Sequence, residues 1–172
     1  MRSKIIQEGK AFINIPVQTK ISKKLPVFYN QVMKANRDIS ILLLNTIKRK
    51  NLQIALPLSG TGVRGIRFLQ ELKKDKIKHL YFNDYSETAT SSIKQNIKKN
   101  KLSSKNITVS TKDANKFLID STGFDYIDID PFGTPNPFLD SAIKRLSRKS
   151  ILAVTATDTS ALCGTYPNSC LR

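Results

Sequence analysis

Cysteine and histidine are scarce in this chain. Its 172 residues contain two cysteines, Cys163 and Cys170, and one histidine, His79. The two thiols lie seven positions apart and the imidazole is far from both, which matches neither the ligand spacing of a zinc site nor a disulfide framework. We therefore interpret both cysteines as free thiols of a cytosolic protein and predict no metal.

Long hydrophobic runs are also missing. No apolar stretch approaches the roughly 18 residues of a membrane-spanning helix, and the segment Met1–Lys10 is not a signal peptide. Hydrophobic residues make up 40% of the chain, which suits one domain with a substantial core. We expect a soluble cytoplasmic protein.

Acidic residues are few, with 13 Asp and Glu against 29 Lys and Arg and a net charge of +16. Such a balance favours a polyanionic partner, and nucleic acid is the commonest one. The lysines are spread along the whole chain. A genome-wide or growth-temperature bias toward lysine is therefore an alternative explanation for much of the excess of basic over acidic residues.

The first 50 residues differ in pattern from the rest. Short alternating stretches between Glu8 and Val27 predict a small β arm, and apolar residues recur at helical spacing from Tyr29 to Lys50. This spacing predicts a helix whose apolar face is formed by Val32, Ala35, Ile39, Leu42, Leu43 and Ile47. Arg37 and Asp38 are expected on its solvated side.

From residue 51 to 172, short apolar strands alternate with helices. The predicted strands are 52–57, 78–83, 107–110, 124–130 and 151–156. The predicted helices are 63–72, 86–100, 114–118 and 136–147. Repeated βα units of this length indicate an α/β fold with a parallel doubly wound sheet. We therefore divide the chain into an N-terminal arm and helix, 1–50, and a partial Rossmann-like domain, 51–172.

The most informative segment is Asp128–Gly133, with the sequence Asp-Ile-Asp-Pro-Phe-Gly. Pro131 cannot donate to a strand ladder, so the preceding strand must end there, and ligands of parallel sheets bind just beyond such ends. Asp130 and a backbone carbonyl can accept hydrogen bonds from the exocyclic amine of a base, while Phe132 stacks on its ring. The alternative is a strand that ends in an N-cap acid and a turn.

A glycine-rich loop, Ser59-Gly60-Thr61-Gly62, follows the first strand of the alternating region. Glycines there let the backbone approach a nucleotide at the N-terminus of the next helix. We interpret it as a two-glycine loop rather than a full Gly-x-Gly-x-x-Gly motif. Asp84 lies 22 residues beyond Gly62, the spacing of the acid that accepts ribose hydroxyls. A simple strand–helix corner and an N-cap acid are the alternatives.

Asp113 follows the third predicted strand and precedes Ala114. Its carboxylate can accept an adenine amino group, although capping of the short helix explains it nearly as well. The loop, Asp84, Asp113 and Asp130 thus occupy successive strand ends. This order describes a nucleoside cofactor whose reactive group faces the fourth strand, and the acid-Pro-Phe motif there favours S-adenosylmethionine over a nicotinamide.

Several segments resemble one protein family, and together they run almost from end to end. They are Glu8–Ala11, Phe28–Met33, Asn36–Asp38, Ser59–Arg67, Asn83–Asp84, Asp128–Pro135, Phe138–Ala142, Thr155–Asp158, Leu162–Gly164 and Cys170–Arg172. The family is the tRNA guanine-26 N2-dimethyltransferases, class I methyltransferases that use S-adenosylmethionine. The resemblance implies methylation of guanine 26 in tRNA, first once and then twice.

The resemblance also implies roles for individual residues. Asp130 is the expected catalytic carboxylate and Phe132 the stacking ring, with Pro131 and Gly133 beside the substrate base. The residues expected at the cofactor are Arg37, Ser59, Gly60, Gly62, Arg64, Asp84, Asp113 and Ala114. One departure is that Pro57-Leu58-Ser59 lacks the acid that many class I enzymes carry before the glycines.

The larger departure from the family is length. The class I sheet has seven strands and we predict five, while the family carries a C-terminal half that completes the sheet and adds an RNA-binding domain. We expect the missing half to be encoded separately, and a fragment of a longer chain is the alternative.

Two other functions stay open, methylation of another exocyclic base amine and non-catalytic binding of cofactor or RNA. The candidate phosphate contacts are Lys98, Lys99, Lys101, Lys144, Arg145 and Arg148, with a solvated face as the alternative for each.

Overall fold

The computed structural model describes residues 3–16, 27, 29–159 and 163–165. Phe28, Leu162 and the segment Cys170–Arg172, which carry part of the family resemblance, lie outside the described residues. The strands are β1 (Ser3–Glu8), β2 (Ala11–Pro16), β3 (Leu52–Leu56), β4 (Ile77–Asp84), β5 (Ile107–Thr111), β6 (Phe124–Ile129) and β7 (Leu146–Val154). The α-helices are α1 (Lys34–Thr46), α2 (Val63–Glu71), α3 (Glu87–Lys99), α4 (Ala114–Ile119) and α5 (Asn136–Lys144).

Five strands form one parallel sheet in the order β5-β4-β3-β6-β7, and β1 and β2 form a separate antiparallel hairpin. The chain runs outward from β3 through β4 to β5 and then returns to place β6 against the other side of β3. The carboxyl ends of β3 and β6 therefore flank a topological switch point, where open α/β sheets bind ligands. The predicted parallel doubly wound sheet is confirmed.

The structure corrects the predicted boundary between α5 and β7. The helix ends at Lys144 rather than at residue 147, and Leu146 already pairs with Phe124 as the first residue of β7. Ile143, predicted to point inward, is 60% exposed. The helical spacing of apolar residues continued too far here because β7 begins with an irregular pairing. Leu146 pairs with Phe124, and the register then shifts so that Ile151 pairs with Tyr126.

Helix α1 buries a different face from the predicted one. Val32, just before the helix, is 83% exposed, and Ile39 and Leu42 are 64% and 65% exposed. The buried residues of the helix are Arg37, Ser40, Ile41 and Leu44. The predicted apolar face and the solvated position of Arg37 are therefore wrong, because the carboxylate of Glu8 neutralises the buried Arg37 guanidinium.

The hydrophobic core is continuous across the predicted boundary at residue 50. Ile13 of β2 and Leu44 of α1 belong to the same buried cluster as Phe82 of β4. The Asn96 amide also attaches the hairpin, since it accepts from the Asn14 N–H at 2.8 Å and donates to the Thr61 carbonyl at 3.0 Å. The arm is thus packed on the sheet's helices, and the division at residue 50 stays a prediction.

A second apolar cluster covers the other face of the sheet. Phe117 and Leu118 of α4 and Ala142 of α5 pack there against Phe124 and Ile127 of β6. Helices on both faces leave the strand ends as the open part of the sheet. Among the described residues, no helix is both long enough and apolar enough to cross a membrane.

Candidate active site

The loop between β3 and α2 has a backbone that only glycine adopts readily. Gly60 and Gly62 have φ values of 53° and 78°, in the left-handed region. The Gly62 N–H donates to the Ser59 carbonyl at 2.8 Å, and the Ser59 hydroxyl donates to the Leu56 carbonyl at 2.7 Å. The loop therefore forms a tight turn that brings bare backbone to the switch point.

Gly65 completes a Gly-x-Gly-x-x-Gly pattern with Gly60 and Gly62, so the interpretation as a two-glycine loop was wrong. A Cβ atom at Gly65 would overlap the Phe82 ring and lie 2.7 Å from Leu56 Cδ1. Helix α2 consequently packs directly on β3 and β4, the task of the third glycine in such motifs. The spacing of the three glycines in the sequence was sufficient to identify this residue. The preference for S-adenosylmethionine therefore depends on the motif after β6.

Asp84 connects the tip of β4 to the glycine loop. Its Oδ2 accepts from the Gly60 N–H at 2.8 Å and its Oδ1 from the Ser86 N–H at 3.0 Å. Burial raises the pKa of Asp84, and the hydrogen bonds from Ser86, Gly60 and Tyr85 oppose that shift. The carboxylate is thus fixed beside the loop, and its contact with ribose hydroxyls stays a prediction.

Asp130 lies directly after β6 and is held by Arg64 from the first turn of α2. Arg64 Nη2 is 2.7 Å from Asp130 Oδ2, and Nη1 is 3.2 Å from Asp128 Oδ2. Nη1 also donates to the Ser40 hydroxyl at 2.9 Å, and Nη2 donates to the side-chain oxygen Oδ1 of Asn36 at 2.7 Å. The terminal nitrogens of Arg64 thus donate three hydrogen bonds and form an ion pair with Asp128. Asp130 Oδ1 has no hydrogen bond from the residues that the structure describes.

Asp128 is a second acid on the same face of β6, two residues before Asp130. Its side chain is buried, and the Tyr126 hydroxyl donates to its Oδ2 at 2.7 Å. Burial raises the pKa of Asp128 to about 6, although the positive charge of Arg64 opposes the shift. The sequence prediction gave Asp128 no role. Alternation along the strand was the available signal, because residues two apart share a face.

Arg37 lies in a buried ionic cluster that closes the other side of the site. Its guanidinium donates to both oxygens of Glu8 at 2.7 and 2.6 Å and to the Asn30 carbonyl at 3.0 Å. The Tyr29 hydroxyl and Arg67 also donate to Glu8, at 2.9 and 3.0 Å. Burial alone would raise the pKa of Glu8, but these partners, Arg37 first, leave it lowered.

Two adjoining cavities collect most of the predicted site residues. The first is lined by Tyr29, Asn30, Met33, Arg37, Ser59, Gly60, Arg64, Asp128 and Asp130, among others. The second is a cleft of about 470 Å³ lined by Leu58, Gly60, Asp84, Asp130, Pro131, Phe132, Gly133, Thr134, Pro137, Phe138 and Asp158. Leu58, Gly60 and Asp130 belong to both linings, so these three residues stand where the cavities meet.

The loop after β6 presents its aromatic ring to the cleft. Pro131 is buried, whereas Phe132 is 46% exposed. Gly133 has a φ of 103°, and its N–H donates to the Thr157 hydroxyl at 2.8 Å. The Thr157 N–H donates back to the Gly133 carbonyl at 3.1 Å. The segment after β7 therefore fixes the loop that carries the ring.

A family model described as N2,N2-dimethylguanosine tRNA methyltransferase matches residues 5–172. The chain belongs to this family. The predicted family resemblance is thereby confirmed over almost the whole sequence.

Relatives of known name support the same assignment. The chain is 49% identical to a tRNA (guanine(26)-N(2))-dimethyltransferase of Methanobrevibacter smithii, over 98% of this chain and 44% of the relative. It is 42% identical to a tRNA (guanine(26)-N(2)/guanine(27)-N(2))-dimethyltransferase of Aquifex aeolicus, over 98% of this chain and 44% of that relative. A solved complex of Trm1 from Pyrococcus horikoshii with S-adenosyl-L-methionine has a TM-score of 0.85 at 40% identity, covering 98% of this chain and 47% of Trm1. The chain spans less than half the length of these relatives.

Gly62, Asp113 and Ala114 are the predicted family site residues that line neither cavity. Asp113 is exposed, and its Oδ1 accepts from the Lys116 N–H at 3.0 Å as the N-cap of α4. Ala114 is buried beneath it. The capping alternative thus has its hydrogen bond in the structure, and a contact to adenine stays a prediction.

The six candidate phosphate contacts lie away from the site. Helices α3 and α5 run back from the cleft, so their last turns, with Lys98, Lys99 and Lys144, lie at the opposite edge of the sheet. Lys101 follows α3, and Arg148 lies in the first part of β7. Arg145 donates to the Leu118 and Ile119 carbonyls and so caps α4. Contact of these six residues with the phosphates of a tRNA stays a prediction.

Proposed function

We propose that this chain carries the cofactor-binding and catalytic half of an enzyme that methylates the exocyclic N2 amine of guanine 26 in tRNA. The observation that carries the proposal is the position of Asp130, which is held by Arg64 at one oxygen and stands beside Phe132 and Gly60 at the switch point. The names of the family and of its full-length relatives support the substrate. Localisation to the cytoplasm, where tRNA is available, belongs to the same proposal.

The residues present fit S-adenosylmethionine. The left-handed Gly60 and Gly62 provide bare backbone, and the Asp84 carboxylate suits a ribose hydroxyl. The cofactor would be held by Arg37, Ser59, Gly60, Gly62, Arg64, Asp84, Asp113 and Ala114. When bound, it supplies an electrophilic methyl group.

The chain's own groups would activate and position the substrate amine. An aryl amine is a poor nucleophile because its lone pair is delocalised into the ring. Asp130 Oδ1 and the carbonyl near Pro131 accept the two amine N–H bonds, which localises the lone pair and fixes its direction. Asp130 then takes the released proton.

Phe132 and the loop around Gly133 would receive the target base. A guanine within tRNA is paired or stacked, so its extrusion costs roughly a few kcal/mol. Stacking on the half-exposed Phe132 ring recovers part of that cost. The Thr157–Gly133 hydrogen bonds hold the loop in place while the base enters.

The proposal includes a second polypeptide that supplies what the longer relatives contain beyond this match. Two features support it. The outer edge of β7 has no neighbouring strand in the described sheet. The exposed apolar residues Val32, Ile39, Leu42 and Leu43 lie on or just before α1, whose Asn36 side chain bonds to Thr155 after β7. An open strand and an apolar helix face side by side suit burial by a partner.

The test is methylation of a tRNA transcript by this chain, alone and with a polypeptide corresponding to the C-terminal half of the Methanobrevibacter smithii relative. Nucleoside mass spectrometry should detect methylated guanosine at position 26 with both polypeptides, and none with Asp130→Ala. Methyl groups on another base would contradict the substrate. Full turnover by this chain alone would contradict the need for a partner.

A further inference from the structure

The edge of the sheet opposite the cleft carries a dense row of cations. Thirteen exposed lysines and arginines lie in the last helical turns, the connections and the strand starts at this edge. They are Lys48, Arg49, Lys50, Lys73, Lys74, Lys78, Lys98, Lys99, Lys101, Lys105, Lys144, Arg148 and Lys149. We call this set the basic edge.

Ion pairing does not account for the basic edge. Arg49 pairs with Asp125 and Lys144 pairs with Asp140. The other eleven make no ion pair with any residue in the described part of the chain. Most of these charges are therefore exposed and available to a partner.

Helix dipoles account for only a small part of this charge. All five α-helices end at this edge, and each C-terminus contributes about half a negative charge. Their sum of about −2.5 is far below the charge of the basic edge. The cleft edge is less basic, because the carboxylates of Asp84, Asp128, Asp130 and Asp158 lie there beside the guanidinium groups of Arg37 and Arg64.

The chemistry of the basic edge favours RNA over a membrane or an apolar protein surface. Residues 47–51, 72–76, 100–106 and 145–150 at this edge expose no large hydrophobic side chain, and its exposed apolar residues are confined to Leu43, Ile119 and Ile143 in the last helical turns. Membrane-surface segments combine basic residues with exposed apolar ones, whereas phosphate contacts need cations alone.

We propose that the basic edge is a phosphate-binding surface for the RNA whose target base enters the cleft at the other edge. This rests on the proposed function, since it assigns the same RNA to both edges. The eight-residue strand β4 separates the edges by roughly 26 Å, so a folded RNA must reach across the domain.

The test measures binding of a fluorescein-labelled tRNA transcript by anisotropy, with the full chain in a series of KCl concentrations. Each phosphate contact contributes about 0.7–0.9 to the dependence of log K on log salt. The variant Lys73→Gln/Lys74→Gln/Lys99→Gln should therefore lower the slope by roughly 2 to 3 and weaken binding about tenfold or more at low salt. Circular dichroism checks that it is folded.

A matched control removes the same charge elsewhere. Lys4→Gln/Lys94→Gln/Lys116→Gln takes three exposed lysines from the hairpin, the middle of α3 and α4. Its slope should stay within about 1 of that of the wild type. Equal losses in the two variants would overturn the proposal, because they would show a general effect of net charge.

Two further measurements complete the design. A second variant, Lys98→Gln/Lys101→Gln/Lys105→Gln, removes three charges at and after the end of α3 and is used if the first triple variant is poorly folded. We expect it to lower the salt slope and the affinity for tRNA by the same amounts. Tighter binding to phosphatidylglycerol vesicles than to tRNA would also overturn the proposal. Calorimetry with S-adenosylmethionine tests the proposed function separately, because cofactor binding does not involve the basic edge.

Discussion

The Gly60 N–H lies 2.8 Å from Asp84 Oδ2, so the loop after β3 is bonded to the tip of the neighbouring strand β4. This bond fixes a bare backbone segment and a carboxylate as one unit at the switch point. The Ser86 N–H bond to the other oxygen of Asp84 leaves the carboxylate little freedom to turn. Two successive strand ends thus form a preorganised wall for a nucleoside.

Asp84→Ala should weaken S-adenosylmethionine binding about 10- to 100-fold, because it removes a charged acceptor and frees the glycine loop. Isothermal titration calorimetry measures the change. Glu87→Ala, on the exposed first turn of α3, is the control and should bind as the wild type does. Unchanged affinity in Asp84→Ala would remove this residue from the cofactor site.

Asp130→Ala should lower turnover by about 10²–10⁴-fold while cofactor affinity changes by less than about tenfold. The reason is that Asp130, which lines the cleft beside Phe132, is assigned to the substrate amine rather than to the cofactor. Single-turnover methylation by the reconstituted enzyme measures the turnover, and calorimetry measures the affinity for the cofactor. Near wild-type turnover would contradict the catalytic role.

Arg64→Lys should lower turnover roughly tenfold or more, because an ammonium cannot contact Asp130, Asp128, Asn36 and Ser40 with the geometry of a guanidinium. The control is Arg145→Lys, which alters an arginine that caps α4 far from the cleft. It should leave turnover unchanged. A loss of cofactor affinity with normal turnover at saturation would show that Arg64 serves the cofactor instead of Asp130.

Gly65→Ala should lower the free energy of unfolding by about 1–3 kcal/mol. The added methyl gains helix propensity of up to about 1 kcal/mol but overlaps the Phe82 ring, which has no room to move in the core. Urea unfolding measures the difference. Ser91→Ala, on the exposed side of α3, should cause no loss. A stabilised Gly65→Ala would contradict the close packing of α2.

Glu8→Gln should destabilise the fold by about 3 kcal/mol at pH 7, because it leaves the buried Arg37 without its carboxylate. The pKa of Glu8 is lowered from 4.5 in the folded protein, so the folded state holds the proton less tightly than the unfolded chain does. This contribution is therefore present above pH 4.5 and is lost as the pH falls through the folded pKa.

Urea unfolding of both proteins at pH 7.5 and pH 3.5 checks the sign. The difference in the free energy of unfolding between the wild type and Glu8→Gln should be smaller at pH 3.5 than at pH 7.5. Glu87→Gln is the exposed control, and its free energy of unfolding should differ little from that of the wild type at either pH. A gap that widens in acid would show that the pKa of Glu8 is raised instead.

The local part of the fold was readable from the chain. Strands 52–57 and 124–130 and the helix capped by Ser86 appear within a residue or two of the predicted ends, because period and caps are local signals. Asp84 and Asp130 were predicted to lie at strand ends for the same reason. These acids need only their position after an apolar strand to be recognised.

Predictions that depended on distant contacts failed. The buried face of α1 depends on Glu8, which is 29 residues from Arg37, so helical periodicity alone selected the wrong side. The start of β7 depends on pairing with Phe124 of β6. Hydrophobic pattern carries no information about a partner that lies elsewhere in the chain.

The amino-acid sequence by itself determined the alternation of strand and helix, the acids at strand ends and the family. Tertiary structure decided which oxygen of Asp130 is held, through Arg64, Asn36 and Ser40 from two helices. It also decided that thirteen scattered cations share one edge, because every helix returns antiparallel to its strand. Charge and periodicity are properties of the chain, whereas proximity arises only when parallel strands align their ends.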